Sequence, residues 1–289
     1  MFKSQLTRHL ISYVFLLVLL AHAGNSITIP LLESLDRNAY DFRLNSSLLN
    51  DKDPRIVIVD IDDKSLQDVG HWPWGRNVLA GMLDSLFDHY EIAVVGFDVL
   101  FAEKDESSGL KTLDELGKNE LSQNTAYLES LEKLRPSLEY DQQFANALKN
   151  RNVVMGYFFT HDSRKKDLTI GELPDPAILL DDTQSNIPFP VATGAGGNLA
   201  MFQQNAMHGG FIDLPIVDDD GVIRSIPMVQ RYGDVLYEAL SLAMIRALMD
   251  FPYLELVVED GGQTSEVNLG LELIKFEGLT IPVDERSAA

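Results

Sequence analysis

Two apolar runs that each end in acids, with a helical stretch between them, constrain this chain more than any other feature. Residues 55–101 read RIVIVDIDDKSL, then GHWPWGR, then the helical stretch, then EIAVVGFDVLF. Residues 56–61 and 92–97 are near-continuous β-branched or apolar runs, the pattern of strands buried on both faces of a parallel sheet. Between them Val78, Leu79, Met82, Leu83, Leu86 and Phe87 recur at three- and four-residue spacing and make one apolar helix face. The sum is a βαβ unit, whose crossover is right-handed and whose ligands favour the crevice beyond the carboxyl ends of the strands. Asp60, Asp62 and Asp98 stand at those ends, and the Trp72-Pro73-Trp74-Gly75-Arg76 loop is expected to meet them at one sheet edge.

The 289 residues could hold one large domain or two small ones, and 45% apolar content suffices for a real core. The 44 acids against 23 basic residues give a net charge of -21, which argues against a nucleic-acid surface because phosphate binding needs concentrated Lys and Arg. With no cysteine, disulfides, thiolate chemistry and cysteine-based zinc sites are excluded. At the amino terminus Lys3 and Arg8 precede an uncharged run from Leu10 to Ala23, and the marked acidity begins only after it. Basic residues stay in the cytoplasm, so the acidic bulk is expected outside it. Ala21-His22-Ala23 matches a signal-peptide cleavage site. The low-charge stretch nevertheless continues through Ile27, Ile29, Leu31 and Leu32, which favours an uncleaved anchor over residues 1–30.

Beyond residue 30, a helix is expected over residues 31–43 on the spacing of Leu32, Leu35, Ala39 and Phe42. Residues 104–140 read as a polar helical insertion, residues 141–150 as a short helix opened by Asp141, and residues 152–159 as a third buried strand. Residues 160–190 read as a long irregular excursion, and Gly194-Ala-Gly-Gly197 as a flexible turn, since it lacks phosphate-loop spacing. Residues 209–215 and 222–229 flank an Asp/Gly turn and suggest a hairpin, residues 237–249 a helix stopped by Pro252, and residues 254–258 and 267–276 a second hairpin. The fold class is therefore α/β: a mostly parallel buried sheet with flanking helices and an antiparallel hairpin extension, preceded by an amino-terminal membrane helix.

Asp60-Ile-Asp62 after an apolar strand is similar to the nucleophile and acid/base pair of haloacid-dehalogenase phosphohydrolases, which use magnesium. Here Lys64 stands where those enzymes carry Thr or Val, and a turn role for Asp62 or Asp63 is favoured. Asp218, Asp220 and Gly221 begin like a calcium loop, but Val222 fills a ligand position, so a plain turn is favoured. In the WPWGR loop the chain's two tryptophans flank a stiffening proline ahead of an arginine, which suits an anionic or aromatic ligand; a core cap with Arg76 paired to Asp62 or Asp98 is the equal alternative. His71 and His208 have no second metal ligand near them in sequence.

Taken in order, LLESLDRNAYDFRL, IVIVDIDDKSL, GHWPWGR, VVGFDVLFAE, DQQFANALKN with VVMGYFF, and DDDGVIRSIPMV before a long helix resemble the type-two CHASE domains, the extracellular sensory domains associated with cyclases and histidine kinases. The resemblance spans residues 31–249. It implies a sensory module facing the periplasm or extracellular side, anchored in the cytoplasmic membrane by one amino-terminal helix and coupled to a cyclase or kinase output. The family pattern continues past residues 279–283 to a further strand and returning membrane helices. No second hydrophobic span or output domain occurs in these 289 residues, so the expectation is either a fragment of a longer receptor or a shortened version that cannot signal across the membrane alone. The resemblance implies no enzymatic activity for the chain itself and supplies no ligand.

The expected ligand pocket lies at the carboxyl ends of the strands. Asp62, Trp72, Trp74, Arg76, Asp98 and Phe101 line it, and Asp220 and Arg224 close it. Arg76 would grip a carboxylate or phosphate, Asp62 and Asp98 would accept hydrogen bonds, and ligand binding would bias the amino-terminal helix through Leu35 and Phe42. The expected partners are a small-molecule ligand, the membrane, an output protein and a second copy of the chain. No cofactor, metal or nucleic acid is expected. The alternatives are a magnesium-dependent phosphohydrolase using Asp60 and Asp62, and a spacer or dimerisation module that binds nothing.

Overall fold

The computed structural model describes residues 2–24, 26–48, 53–162, 169–181, 187–215, 217, 220–258, 270–284 and 288. It divides into two units, residues 1–62 and 63–289.

The first unit holds helix α1 (Phe2–Ala23), helix α2 (Pro30–Ser47) and an extended segment leading to Asp62. Pro30 opens α2 because its missing N–H would be unsatisfied there in any residue. None of the described residues of this unit is buried. Leu10, Ile11, Phe15, Leu17 and Leu20 stand exposed around α1. Among the described residues no helix is long and apolar enough to cross a membrane. The uncharged stretch of α1, residues 10–23, rises only about 21 Å at 1.5 Å per residue, short of the ~30 Å hydrocarbon thickness.

The expected buried strand over residues 56–61 is not a strand. Ile56, Val57, Ile58 and Val59 are extended but exposed, Ile58 to 88%. β-branched composition favours the extended conformation; a strand also needs a partner to complete its hydrogen bonds, and this unit contains no second extended segment among its described residues.

The second unit opens with helix α3 (Asp63–Val69) and is built around strand β2 (Val153–Thr160). Strand β1 (Val95–Phe97) pairs with it in parallel, Gly96 opposite Val154. Strand β6 (His208–Phe211) pairs in parallel on the other side, Gly210 opposite Gly156. Further along, β2 turns to antiparallel pairing with β5 (Gly194–Gly196), which pairs in parallel with β3 (Thr169–Ile170). All but one of the first seven residues of β2 are buried, as a strand covered on both faces must be. Its alternation sorts the layers. Val153 and Met155 pack with Leu79 and Leu83 of helix α4 (Arg76–Asp84), with Phe144 and Leu148 of helix α7 (Tyr140–Leu148), and with Phe202 of helix α8 (Ala200–Gln203). Val154 packs with Ala243 and Ala247 of helix α9 (Leu240–Leu248). Gly210 lets α9 approach β6, since a Cβ there would lie 2.4 Å from the Leu240 Cα.

Strands β4 (Ile178–Leu179), β8 (Val235–Glu238) and β7 (Val229–Tyr232) form a second sheet, and β9 (Glu255–Val258), β10 (Leu271–Phe276) and β11 (Leu279–Pro282) a third, both antiparallel. The hairpin expected over residues 254–276 is present as β9 and β10; its connection lies outside the described residues. The hairpin expected over residues 209–229 is absent. β6 joins β2 instead, and β7 folds back on β8 through Gly233, which takes a positive φ. Pro215 and Pro227, which lack an N–H for a ladder, flank the intervening chain.

The Gly194–Gly196 segment is strand rather than flexible turn, because its small residues fit beside the Phe158 ring: a Cβ on Gly196 would lie 2.4 Å from that ring. The helix expected from residue 237 starts at Leu240, since Tyr237 and Glu238 complete the β8 ladder first. Inside the insertion, helices α5 (Leu110–Lys118) and α6 (Thr125–Leu138) lie side by side, joined by the Tyr127 hydroxyl donating to the Leu113 carbonyl and by Arg135 to Asp114.

Candidate functional site

The WPWGR loop forms a compact corner. Trp72 and Trp74 meet edge to face with centroids 5.8 Å apart, and the Trp74 indole donates to the Gly70 carbonyl at 2.8 Å. The Trp72-Pro73 peptide is cis. Gly75 then caps α4, and Arg76 is its first residue. The Arg76 backbone N–H donates to the Asp105 carboxylate at 2.6 Å, and the Asp105 N–H donates in turn to the Asp141 carboxylate at 3.1 Å. The Arg76 guanidinium lies 4.5 Å over the Phe101 ring, and its Nε has no hydrogen-bond partner among the described residues.

Burial lowers the pKa of Arg76, against the pull of Asp105 and Asp141. Burial also pushes Asp105 up, but hydrogen bonds from Ser107 and Arg76 outweigh it and hold that carboxyl below its usual range. Burial dominates at Asp141, whose carboxyl is raised. Asp105 and Asp141 flank the helical insertion, so Arg76 faces the two acids at its neck. No ion pair joins Arg76 to Asp98 among the described residues.

A second constellation stands at the carboxyl ends of β2 and β6. His161 follows β2 and Asp213 follows β6, so the parallel pairing sets both on one edge. The Asp213 carboxylate accepts from the Phe159 N–H at 2.8 Å and from the Gln230 amide at 3.0 Å, and the Gln230 carbonyl oxygen lies 2.9 Å from the His161 Nε2. With Gln230 so oriented, the His161 Nε2 carries the hydrogen. Gln230 is fully buried and His161 exposed, so the chain of bonds runs from solvent to the interior. Burial raises the Asp213 pKa, and its two hydrogen bonds and His161 only partly offset this. Beneath lie Tyr157, Phe159, Phe211 and Tyr237 in mutual ring contact. The Tyr157 hydroxyl and the Glu238 Oε2 are buried there without hydrogen-bond partners among the described residues, and burial pushes the Tyr157 hydroxyl well up.

The expected pocket residues fall in several places. Asp62, like Asp60, belongs to the first unit and is exposed. Trp72, Trp74 and Arg76 share the loop corner. Asp98 is exposed just past β1. Phe101 is 1% exposed, in edge-to-face contact with Phe97, Phe144 and Phe202; it is a core residue with almost no surface to offer a ligand. Asp220 and Arg224 pair with each other at 2.9 Å, and Gly221 between them takes a positive φ.

A cavity of about 520 Å³ opens elsewhere, between α4 and α7, lined by Asn77, Gly81, Gln143, Asn146 and Arg151, among others. Of its two lining cations, Lys149 and Arg151, Arg151 is engaged by Asp84 and Asp88. Among the described residues no group of three or more His, Asp or Glu is placed to hold a metal.

Asp105, Asp213, Gln230 and His161 were not legible as site residues. Asp141 was visible only as a helix-opening acid, and its carboxylate serves Asp105. Asp213 sits in a run with hairpin chemistry, and nothing in one sequence links it to residue 161.

A core sheet with parallel pairing at its centre, helices on both faces, and polar groups gathered beyond its strand ends make this an α/β domain with a candidate site at one sheet edge. The model of the CHASE2 domain matches residues 13–288, and the chain belongs to that family, whose members are extracytoplasmic sensory domains of signalling receptors. No curated protein and no solved structure matches the chain.

Proposed function

We propose that this chain is the ligand-sensing module of a membrane-anchored receptor, and that its ligand meets the carboxyl edge of the parallel sheet. The observation that supports this is the bonded chain from exposed His161 through buried Gln230 to Asp213, a carboxylate with no ion pair among the described residues. A half-buried carboxylate held by neutral donors is costly to a fold that does not use it, and strand carboxyl ends are where open α/β sheets bind ligands. Asp98, at the end of the neighbouring strand, extends the same edge. The tryptophan corner then serves to fix the insertion neck, which fits the core-cap alternative for Arg76.

The anchor in this reading is the amino-terminal segment, with the sensory module outside the cytoplasmic membrane. The exposed aliphatic side chains around α1 support it, as do Lys3 and Arg8 on the cytoplasmic side. Ile27, Ile29, Leu31 and Leu32 would lengthen the apolar stretch beyond what α1 supplies. Fractionation tests the anchor: the full chain should stay with membranes through a carbonate wash, and release into the soluble fraction would refute it. A thermal-shift screen tests the site. A metabolite that raises the melting temperature of the wild type, but not of Asp213→Asn or His161→Gln, supports the edge. A hit that survives both substitutions and is lost in Arg76→Ala would move the site to the loop corner.

A further inference from the structure

The link from α9 to β9 is strained and is held from two sides. Asp250 and Phe251 are consecutive non-glycine residues in the left-handed region, with φ of 61° and 54°. Each such residue costs about 1–2 kcal/mol unless its surroundings hold it. Three contacts do so. The Phe251 N–H donates to the Arg246 carbonyl at 2.8 Å, and the Arg246 Nε donates to the Pro252 carbonyl at 3.0 Å. The His208 imidazole lies on the Phe251 ring with centroids 3.4 Å apart and planes 32° from parallel. Arg246 is itself fixed by a buried ion pair with Glu238 at 2.6 Å, and its guanidinium carbon lies 5.8 Å from the same phenyl ring. From this turn the chain passes to buried Leu254 and on into the β9–β10–β11 sheet.

We propose that the stack of Phe251 on His208 is a latch that keeps the α9–β9 turn in its strained form, and that protonation of His208 opens it. The proposal stands apart from any ligand at the strand edge. The groups that face His208 are Arg246 from α9, Asp175 from the segment before β4, and, behind Arg246, Glu238 from β8. A second cation on the Phe251 face would gain about 0.5–2 kcal/mol of cation–π attraction. It would do so while losing solvent and lying close to Arg246. Burial first, then Arg246, lowers the His208 pKa to about 4 against the smaller opposing effect of Asp175. Once Phe251 swings away the imidazole regains water, which also screens it from Arg246, so the open form takes the proton more readily. The left-handed pair then relaxes, and the motion passes to the sheet that follows.

Hydrogen exchange of the full chain, read by mass spectrometry on peptides covering residues 249–254 and corrected for intrinsic rates, tests the latch. A proton bound near pH 6.5 in the open form and near 4 in the closed one changes the opening equilibrium about twenty-fold between pH 7 and pH 5, and the half-buried position of His208 reduces this to about ten-fold. The wild type should lose about ten-fold protection on that change of pH. His208→Gln and His208→Asn, which lack both the stacked ring and the proton, should show lowered protection that is equal at both values, and Phe251→Ala should be unprotected at both values while peptides of β2 stay protected in every variant. Equal wild-type protection at both pH values overturns the proposal, as does a pH-dependent loss in the His208 variants as large as the wild type's.

Discussion

Replacing Asn198 with alanine should cost this fold more than any substitution on its surface, and the amount can be worked from three hydrogen bonds. Asn198 is fully buried. Its side-chain oxygen accepts from the Phe101 N–H at 2.9 Å, and its amide donates to the Gly156 carbonyl at 3.0 Å and to the Gln203 Oε1 at 3.4 Å. One side chain thus joins the segment after β1 to the middle of β2. Alanine leaves the Phe101 N–H and the Gly156 carbonyl without partners in a region closed to water, and each such group costs about 1–3 kcal/mol. The long contact to Gln203 adds little, so the sum is about 4 kcal/mol, a large fraction of a domain's usual 5–15 kcal/mol.

Aspartate at the same position keeps the acceptor for Phe101 but sets an oxygen against the Gly156 carbonyl, so it should cost at least as much. Equilibrium urea unfolding followed by the fluorescence of Trp72 and Trp74 measures both, with exposed Asn146→Ala as a control expected within about 0.5 kcal/mol of the wild type. A loss below about 1 kcal/mol for Asn198→Ala, with an unchanged slope against urea, would refute the claim that these groups are sealed from solvent.

Gly210→Ala should destabilise by more than about 2 kcal/mol in the same assay, because its Cβ would meet backbone atoms of Leu240, which cannot move without shifting α9. Gly81→Ala, where a Cβ meets open space, should be neutral or slightly stabilising. Arg76→Ala should cost about 2 kcal/mol by leaving Asp105 and Asp141 without their cation, and hydrogen exchange should show the loss at the insertion neck rather than in β2. Asp213→Asn should change how stability depends on pH. The folded Asp213 pKa is raised above its unfolded value, so the folded state keeps a proton that the unfolded state has released. Its contribution is therefore greatest in acid and is lost as pH rises from about 4 through the folded value. The stability of the wild type minus that of Asp213→Asn should fall across that window, and a flat difference would count against a raised pKa.

Periodicity made the local elements legible: α7, β2 and the body of α9 follow from spacing that one segment carries by itself. What a segment pairs with was less legible. Residues 56–61 carry strand composition, yet no strand forms there, because hydrogen-bond partners come from elsewhere in the chain. Residues 209–215 have hairpin chemistry, but their first part joins β6 (His208–Phe211) and adds to β2 in parallel. Gly194–Gly196 reads as loose chain, and its smallness is what admits it beside Phe158. At the candidate site, Trp72, Trp74 and Arg76 were visible as a motif while their purpose was not, since Asp105 and Asp141 lie on separate elements. His161 and Asp213 are joined through Gln230, more than fifteen residues from either, and no local pattern records such a bond.

The tie between Asp105 and Asp141 gives the insertion the character of a cassette. Its entry segment and the first turn of α7 at its exit are clasped to each other by a hydrogen bond and held by Arg76, so the helices beyond the clasp hang from a closed ring. The parent fold meets them at this ring and at one further bond, from the Gln143 amide of α7 to the Pro136 carbonyl of α6 at 2.9 Å. Lengthening or exchanging what hangs from it changes loop-closure entropy by only about 0.6 kcal/mol per doubling of length. Residues 110–138 are therefore where foreign sequence, a reporter module or a different pair of helices can be grafted while the sheet and its strand-end edge remain as they are.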